Sequence, residues 1–368
     1  MQSAAKFALC MSQKKGKVLK MKKHLGFRMK KILSLVITGC LLLALAACGK
    51  EDTQGEGGLT AVNPGVGSDN TSQGGALAGN EDGMQNAAEG YFSEEFGEYF
   101  LGGVTYKLDA ATKTAQATGL SSLENTEVVM PDVIAYDGIS YKVTSAAESL
   151  FAYQANLTGV TLSAGLTEIP ASMFYGCEKL VKLTIPDGVK KIGDNAFTQC
   201  FSLNSIELPD SLESIGAEAF FGCEMLQQMV LPDGVSEIGN AAFYDCSLLR
   251  SVTLSKNLKA IPDEAFGNCV CLKEITIPDG VKEIGFEVFW GCSALKIVVI
   301  PDSVALIGSR CFYDCAGLQE VTLPVALTEV DREMFAYCEA LQTIHAPEKL
   351  CEDLNAIFAL DEVEIVAR

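Results

Sequence analysis

Histidine is almost absent from this 368-residue sequence, in which His24 and His345 are the only two. A zinc site with several histidine ligands is therefore excluded, and a serine–histidine–aspartate hydrolase would have to use His345, because His24 lies in a segment that we expect to be removed. Phosphate-binding, dinucleotide-binding, zinc-protease, nucleophile-elbow and calcium-loop motifs are also missing. We therefore expect no catalytic residues, no metal and no cofactor, and we predict that the protein is not an enzyme.

Basic residues are scarce outside the N-terminus. The first 47 residues contain ten lysines and arginines and no acid, which leaves 18 basic against 47 acidic residues in the remainder of the chain. A surface with this charge repels phosphate backbones, so nucleic acid is not an expected partner.

The sequence has an apolar run near its N-terminus, but the run is short. Residues 32–45 form a stretch of fourteen apolar or small residues behind Met29-Lys30-Lys31, and this length is typical of a signal segment and not of a bilayer-spanning helix. The following Leu45-Ala46-Ala47-Cys48 resembles a bacterial lipobox, and the resemblance to lipoprotein precursors implies cleavage before Cys48 and diacylglycerol on its thiol. We predict a signal segment over residues 1–47, with translation starting at Met29 or at Met21, and an exported protein anchored to the membrane by lipid. The alternative is an uncleaved anchor helix with an incidental cysteine.

Residues 48–90 differ from the rest of the chain in composition. Between Gly49 and Gly90, eleven of 42 residues are glycine, and phenylalanine, tyrosine, tryptophan and isoleucine are absent. Such a segment buries too little apolar surface to offset its chain entropy. We predict a disordered linker that follows the lipidated Cys48.

The remainder of the chain repeats every 23 residues. Phenylalanine recurs at this interval ten times, at 151, 174, 197, 220, 243, 266, 289, 312, 335 and 358. Cysteine follows three residues after eight of these phenylalanines, at 177, 200, 223, 246, 269, 292, 315 and 338. A period of this length indicates stacked structural units, each of which buries its apolar side chains against its neighbours.

One unit, residues 209–231, shows how the coil is expected to form. Residues 226–231 end in the alternation of a strand, Pro232-Asp233 favours a turn, and residues 216–220 favour a short helical turn. We therefore predict an α/β solenoid of about ten units with a parallel β-sheet on one face and short helical turns opposite. In that arrangement the ten strands form one sheet.

The repeat resembles a known family. Its consensus, Leu-x-x-Ile-x-Leu-Pro-x-x-Leu-x-x-Ile-Gly-x-x-Ala-Phe-x-x-Cys, is similar to the BspA-like (Treponema pallidum-type) leucine-rich repeat over about residues 143–358. The resemblance implies a cell-surface protein, often an adhesin. We assign residues 143–368 to the leucine-rich repeat solenoid and residues 91–142 to an N-terminal cap of β-hairpins, in which Asp137-Gly138 is a hairpin turn signal.

Two surfaces are candidates for binding. The residue after the core phenylalanine is often aromatic, and aromatic side chains are enriched at the centres of protein interfaces. This aromatic row consists of Tyr175, Phe221, Tyr244, Trp290 and Tyr313. The second candidate is a set of outward-facing apolar residues on the predicted sheet, Val230, Ile297 and Val299. Family packing remains the alternative explanation for the first surface, and chance for the second.

Two further rows have alternative interpretations. The cysteines form either disulfides, which are common in exported proteins, or a buried row of free thiols, and we favour thiols because equivalent side chains point the same way. Five aspartates, at 187, 210, 233, 279 and 302, form either a cation site or ordinary turns, and we favour turns.

These features favour a lipid-anchored surface protein that binds a protein or glycan partner through its repeats. The alternative is a structural envelope or spacer protein without a diffusible ligand.

The lipid anchor can be tested by metabolic labelling with a fatty acid. We expect label on the wild-type protein and none on Cys48→Ala, because acylation requires the thiol and no neighbouring residue supplies one. Label that persists on Cys48→Ala would show that the lipobox assignment is wrong.

Overall fold

The computed structural model describes residues 90–121, 126–358 and 362–368. Cys48, the signal segment and most of the glycine-rich linker lie outside these residues. Within them, no helix combines the length and the apolar character that crossing a bilayer requires.

The N-terminal cap is a six-stranded sheet with one additional strand. Its sheet runs in the order β1-β2-β3-β4-β7-β6, and β1 to β4 pair as antiparallel neighbours. The Asp137-Gly138 turn joins β6 to β7, and both residues have the positive φ angles that such a hairpin requires. The strands are β1 Tyr91–Ser93, β2 Glu98–Leu101, β3 Val104–Asp109, β4 Thr114–Leu120, β5 Glu127–Val129, β6 Val133–Tyr136 and β7 Ile139–Ala146. Strand β5 pairs in parallel with the first solenoid strand and so covers its edge.

The predicted solenoid is confirmed, with about nine coils of about 23 residues and little helix. Its first row of parallel strands includes the predicted Leu-x-x-Ile-x-Leu segment of most coils. These strands are β8 Gly159–Thr161, β10 Lys182–Thr184, β13 Gln228–Val230, β15 Ser251–Thr253, β17 Glu274–Thr276, β19 Ile297–Val299, β21 Glu320–Thr322, β22 Thr343–Ala346 and β23 Glu364–Ala367.

The sequence predicted that this first row forms one continuous sheet. The structure instead divides it into three separate sheets. Residues 204–208, which occupy the strand position of their coil, form no strand. Ile206 and Leu208 are only partly buried there, whereas Met229 and Leu231 in the next coil are fully buried. The looser packing of this coil accompanies the first interruption, and the second falls between β17 and β19.

A second row of parallel strands, which the sequence analysis did not predict, lies one turn further along each coil. Each strand has only two residues, and the isoleucine of each of the seven is buried in the core. They are β9 Glu168–Ile169, β11 Lys191–Ile192, β12 Ser214–Ile215, β14 Glu237–Ile238, β16 Ala260–Ile261, β18 Glu283–Ile284 and β20 Leu306–Ile307.

The turns that carry the core phenylalanines are not helical, in contrast to the prediction for residues 216–220. Glu218, Phe220 and Gly222 each donate a backbone N–H to the next coil, at 2.8 Å, so these groups are not available for bonds within a helix. Glu218 and Gly222 also have φ angles of 54° and 69°, which right-handed helices exclude. The turns therefore act as a third hydrogen-bonded ladder between coils.

The phenylalanines form a continuous column in the core. From Phe151 to Phe335 successive ring centroids are 5.1 to 6.0 Å apart, and the ring planes are within 14° of parallel. The last step, from Phe335 to Phe358, lengthens to 6.3 Å with the rings tilted by 45°. The column is therefore regular until the final coil.

The cysteine row packs beside this column as free thiols. Each of its eight thiols donates to the backbone carbonyl of the phenylalanine one coil earlier, at 3.0 to 3.3 Å, as Cys246 does to Phe220. The same carbonyl accepts a second N–H within its own turn, from the next cysteine in seven cases and from Gln154 at Phe151, so its two lone pairs are both occupied. Burial raises the pKa of these thiols, to about 12 for Cys177 and Cys292, which makes them poor nucleophiles.

The last coil departs from the repeat and contains α1, Glu348–Ile357, which buries Leu350 and Leu354. Strand β23 follows and pairs with β22.

The column predicts a strong dependence of stability on position. Phe243→Ala should lower the free energy of unfolding by about 3–5 kcal/mol, because a fully buried ring with two stacked neighbours is removed. Phe358→Ala should cost less, because that ring has one tilted neighbour and is only partly buried. Denaturant titration measures both values, and equal losses would contradict a stack stabilised by nearest neighbours.

Candidate binding surface

The aromatic row lies on the surface directly above the phenylalanine column. Within each turn, the N–H of the aromatic residue donates to the carbonyl three residues earlier, as Tyr244 does to Ala241 at 3.1 Å. Because the preceding phenylalanine points inward, its successor points outward, and all five side chains of the row are half-buried. The coil-to-coil ladder thus fixes the backbone that presents them.

Three members of the row form one aromatic stack. Phe221 and Tyr244 are 5.2 Å apart with planes at 8°, and Tyr244 and Trp290 are 6.2 Å apart with planes at 6°. The second contact bridges a whole coil, in which Gly267 occupies the position of the aromatic residue. A Cβ at Gly267 would lie 2.6 Å from the Tyr244 ring, so only glycine permits this contact.

The other two members of the row contact residues that the sequence analysis missed. Tyr175 lies 5.2 Å from Tyr153, and Tyr313 lies 5.1 Å from Tyr337. Tyr153 and Tyr337 are 72% and 55% exposed. Both stand two residues after a core phenylalanine, a position that has positive φ and is glycine in several coils. A tyrosine at a position that favours glycine is unusual, and the sequence alone could have indicated these two residues.

The stack lies among carboxylates. The pKa of Tyr244 is raised by burial first and then by the negative charges of Glu264, Asp245 and Glu287. Burial also raises the pKa values of Glu264 and Glu287. The surface therefore combines apolar rings with acidic groups that have lost part of their hydration.

Asp245 is the most strongly affected of these carboxyl groups. Burial raises its pKa to about 6, and Glu224 adds to the effect, although hydrogen bonds from Asn268, at 2.7 Å, and Ser247 oppose it. The carboxylate is therefore partly protonated under mildly acidic conditions.

The apolar residues predicted on the sheet face are exposed but do not form one patch. Val230, Ile297 and Val299 are 60%, 53% and 59% exposed. Ile297 and Val299 lie on the same face of β19, whereas Val230 lies on β13, three coils away. Thr253 and Thr276 occupy the coils between them.

Two of the five aspartates considered for a cation site form ion pairs with basic residues. Lys256 forms an ion pair with Asp233, and Arg368 forms one with Asp302. Nowhere in the described ranges do three histidine, cysteine, aspartate or glutamate side chains converge as metal ligands do. His345 lies on the sheet face with its Nε2 atom 3.1 Å from Glu320. The absence of catalysis remains a prediction.

Comparison with known proteins identifies the repeat. The family model for the BspA type leucine rich repeat region matches in six copies over residues 144–272 and 259–360. No curated protein matches the chain.

Several solved structures are similar to this chain. A leucine-rich repeat protein from Bacteroides ovatus is 28% identical, with 72% of this chain and 74% of that chain covered and a TM-score of 0.59. The leucine rich repeat protein of Treponema pallidum is 26% identical, with 72% and 97% covered and a TM-score of 0.45. A leucine rich cell surface protein from Faecalibacterium prausnitzii is 24% identical, with 77% and 96% covered and a TM-score of 0.45.

The environment of Asp245 predicts an unusual dependence of stability on pH. Its pKa is higher in the folded protein than in the unfolded chain, so the ionised carboxylate destabilises the fold above pH 6, and protonation removes this effect at lower pH. Asp245→Asn should therefore be about 1 kcal/mol more stable than the wild type at pH 7.5, with the difference vanishing near pH 4.

Denaturant titrations at the two pH values measure this difference. Asp187→Asn is the matched control, because Asp187 is exposed and should show little difference at either pH. If Asp245→Asn raises the free energy of unfolding equally at both pH values, the increase does not come from removing a buried charge.

Proposed function

Because the chain belongs to the BspA-type leucine-rich repeat family, we propose that it is an exported, lipid-anchored surface protein that binds a protein partner through the aromatic row. Repeat proteins of this kind are scaffolds whose extended surfaces serve protein binding. The finer assignments, namely the anchor at Cys48, the outward location and a role in adhesion, are parts of this proposal.

The single observation that carries the proposal is the Phe221–Tyr244–Trp290 stack. Half-buried aromatic rings held by a rigid backbone lose little conformational entropy on binding, and such rings are the residue types that dominate interface energetics. The contact across Gly267 extends the stack over four coils. Core packing does not require this contact, since the inner phenylalanine column is complete without it.

The stack favours a protein over a glycan. Sugars pack on the faces of aromatic rings, but the faces of Tyr244 are covered by Phe221 and Trp290. A partner at Tyr244 therefore meets ring edges and the adjacent carboxylates, which suit polar and basic protein side chains.

Variants of the two candidate surfaces test the proposal against a panel of immobilised matrix proteins and cell-wall glycans. The double variant Tyr244→Ala/Trp290→Ala should lose at least about 30-fold in affinity for the retained protein, which is the effect of removing an aromatic hot spot. The matched variant Ile297→Thr/Val299→Thr, on the sheet face, should bind like the wild type.

The denaturation midpoint of each variant controls for loss of fold. Loss of binding in the sheet-face variant alone would move the binding surface to β19. Failure of the wild type to retain any member of the panel would favour the structural or spacer role.

A further inference from the structure

One arginine of the solenoid shows how its surface holds a guanidinium group. Arg310 stands two residues before the core Phe312, and equivalent positions in the neighbouring coils carry Glu287 and Glu333. Its guanidinium forms ion pairs with Glu287, at 3.6 Å, and with Glu333, at 2.5 Å. The group also lies over the ring of Tyr313, 5.6 Å from its centroid. A cation is thus held between two carboxylates that stand two coils apart, beside an aromatic ring.

The same positions recur three coils earlier without the arginine. Glu218 and Glu264 correspond to Glu287 and Glu333, Tyr244 corresponds to Tyr313, and Ala241 stands where the arginine would be. Ala241 has a φ angle of 53°, close to the 57° of Arg310, so the backbone conformation is the same. The backbone positions of Glu218 and Glu264 are roughly 10 Å apart, the separation of two coil spacings.

The two carboxylates of this second set are not neutralised. Among the described residues, no lysine, arginine or histidine forms an ion pair with Glu218 or Glu264. The pKa of Glu264 is raised by burial and by the charges of Asp263 and Glu218, so the two glutamates repel each other across Ala241.

We propose that Glu218 and Glu264 form a subsite for an arginine side chain of the protein partner, seated over Ala241 beside the Phe221–Tyr244–Trp290 stack. This inference rests on the proposed function and names the chemistry that the partner presents to the aromatic row. The net charge of −19 complements a basic segment.

The geometry selects arginine over other cations. A planar guanidinium has donors on opposite edges and can contact two carboxylates at once, as Arg310 does, whereas an ammonium group is a compact point charge. A calcium ion requires six to eight oxygen ligands at about 2.3–2.6 Å, which two glutamates two coils apart do not supply. One difference from the Arg310 arrangement remains: the faces of Tyr244 are covered, so the carboxylates supply most of the attraction.

The fluorescence of Trp290, the single tryptophan of the chain, provides a local measurement. The full chain in detergent is titrated with a blocked Gly-Arg-Gly peptide, with its citrulline counterpart, which has the same shape without the charge, and with Gly-Lys-Gly. We expect a saturable change in fluorescence with the arginine peptide. The lysine peptide should bind at least threefold more weakly, and the citrulline peptide should not bind. Equal affinity for all three would overturn the proposal.

Two variants test the residues. Glu264→Gln should weaken binding of the arginine peptide at least tenfold, whereas Glu274→Gln, with the same charge change on exposed β17, should not. Ala241→Arg should supply the missing guanidinium from within the chain, abolish peptide binding and raise the denaturation midpoint. Undiminished peptide binding in both Glu264→Gln and Ala241→Arg would overturn the subsite.

The same variants separate this inference from the proposed function. If the partner protein no longer binds Tyr244→Ala/Trp290→Ala but binds Glu264→Gln and Ala241→Arg normally, the aromatic surface is correct and the arginine subsite is wrong. If the arginine peptide follows the expected pattern but the partner protein binds Tyr244→Ala/Trp290→Ala as tightly as the wild type, the subsite is correct and the proposed surface is wrong.

Discussion

The structure depends on backbone hydrogen bonds that run from each coil to the next. They occur in three ladders, two of short parallel strands and one through the phenylalanine turns, and all three place a residue over its counterpart 23 positions away. This alignment explains why the sequence is periodic. A phenylalanine must stack on a phenylalanine, and a cysteine thiol must reach the same carbonyl in every coil. A side chain of another shape in one coil would disturb two neighbours.

The same alignment has opposite consequences for apolar and charged residues. Stacking the same residue type in successive coils is favourable for aromatic rings, which is why both the buried column and the surface stack form. The same stacking is unfavourable for carboxylates, because their negative charges repel. In two places a basic residue relieves this repulsion, Lys256 in the row of aspartates and Arg310 in the row of glutamates. Where no change of sign occurs, as at Glu218 and Glu264, the repulsion persists in the isolated protein and a partner can remove it.

Features that recur at the same position in every repeat could be predicted from the sequence. Features that depend on contacts between coils could not. The period, the phenylalanine core and the Asp137-Gly138 hairpin follow from residue type and spacing alone. The second strand row has two residues per coil, too few for an alternation pattern to register. The turns were predicted as helical because Gly-Ala-Glu-Ala-Phe favours helix locally, but the bonds to the next coil require positive φ at Glu218. The contact between Tyr244 and Trp290 was hidden because the two residues are 46 positions apart.

Function in such a molecule is expected where the repeat is broken, because the repeated positions are already committed to stacking. Gly267 is a clear case: as the one glycine of the aromatic row it contributes no contact of its own, yet its missing side chain lets Tyr244 reach Trp290. Ala241 is a second case, since a small, buried residue stands between two glutamates where Arg310 stands between Glu287 and Glu333 three coils later. Both exceptions lie on one surface, within one coil of each other. Together the two departures place an aromatic stack beside two carboxylates at the surface, and this combination suits a ligand because the phenylalanine column beneath is complete without it.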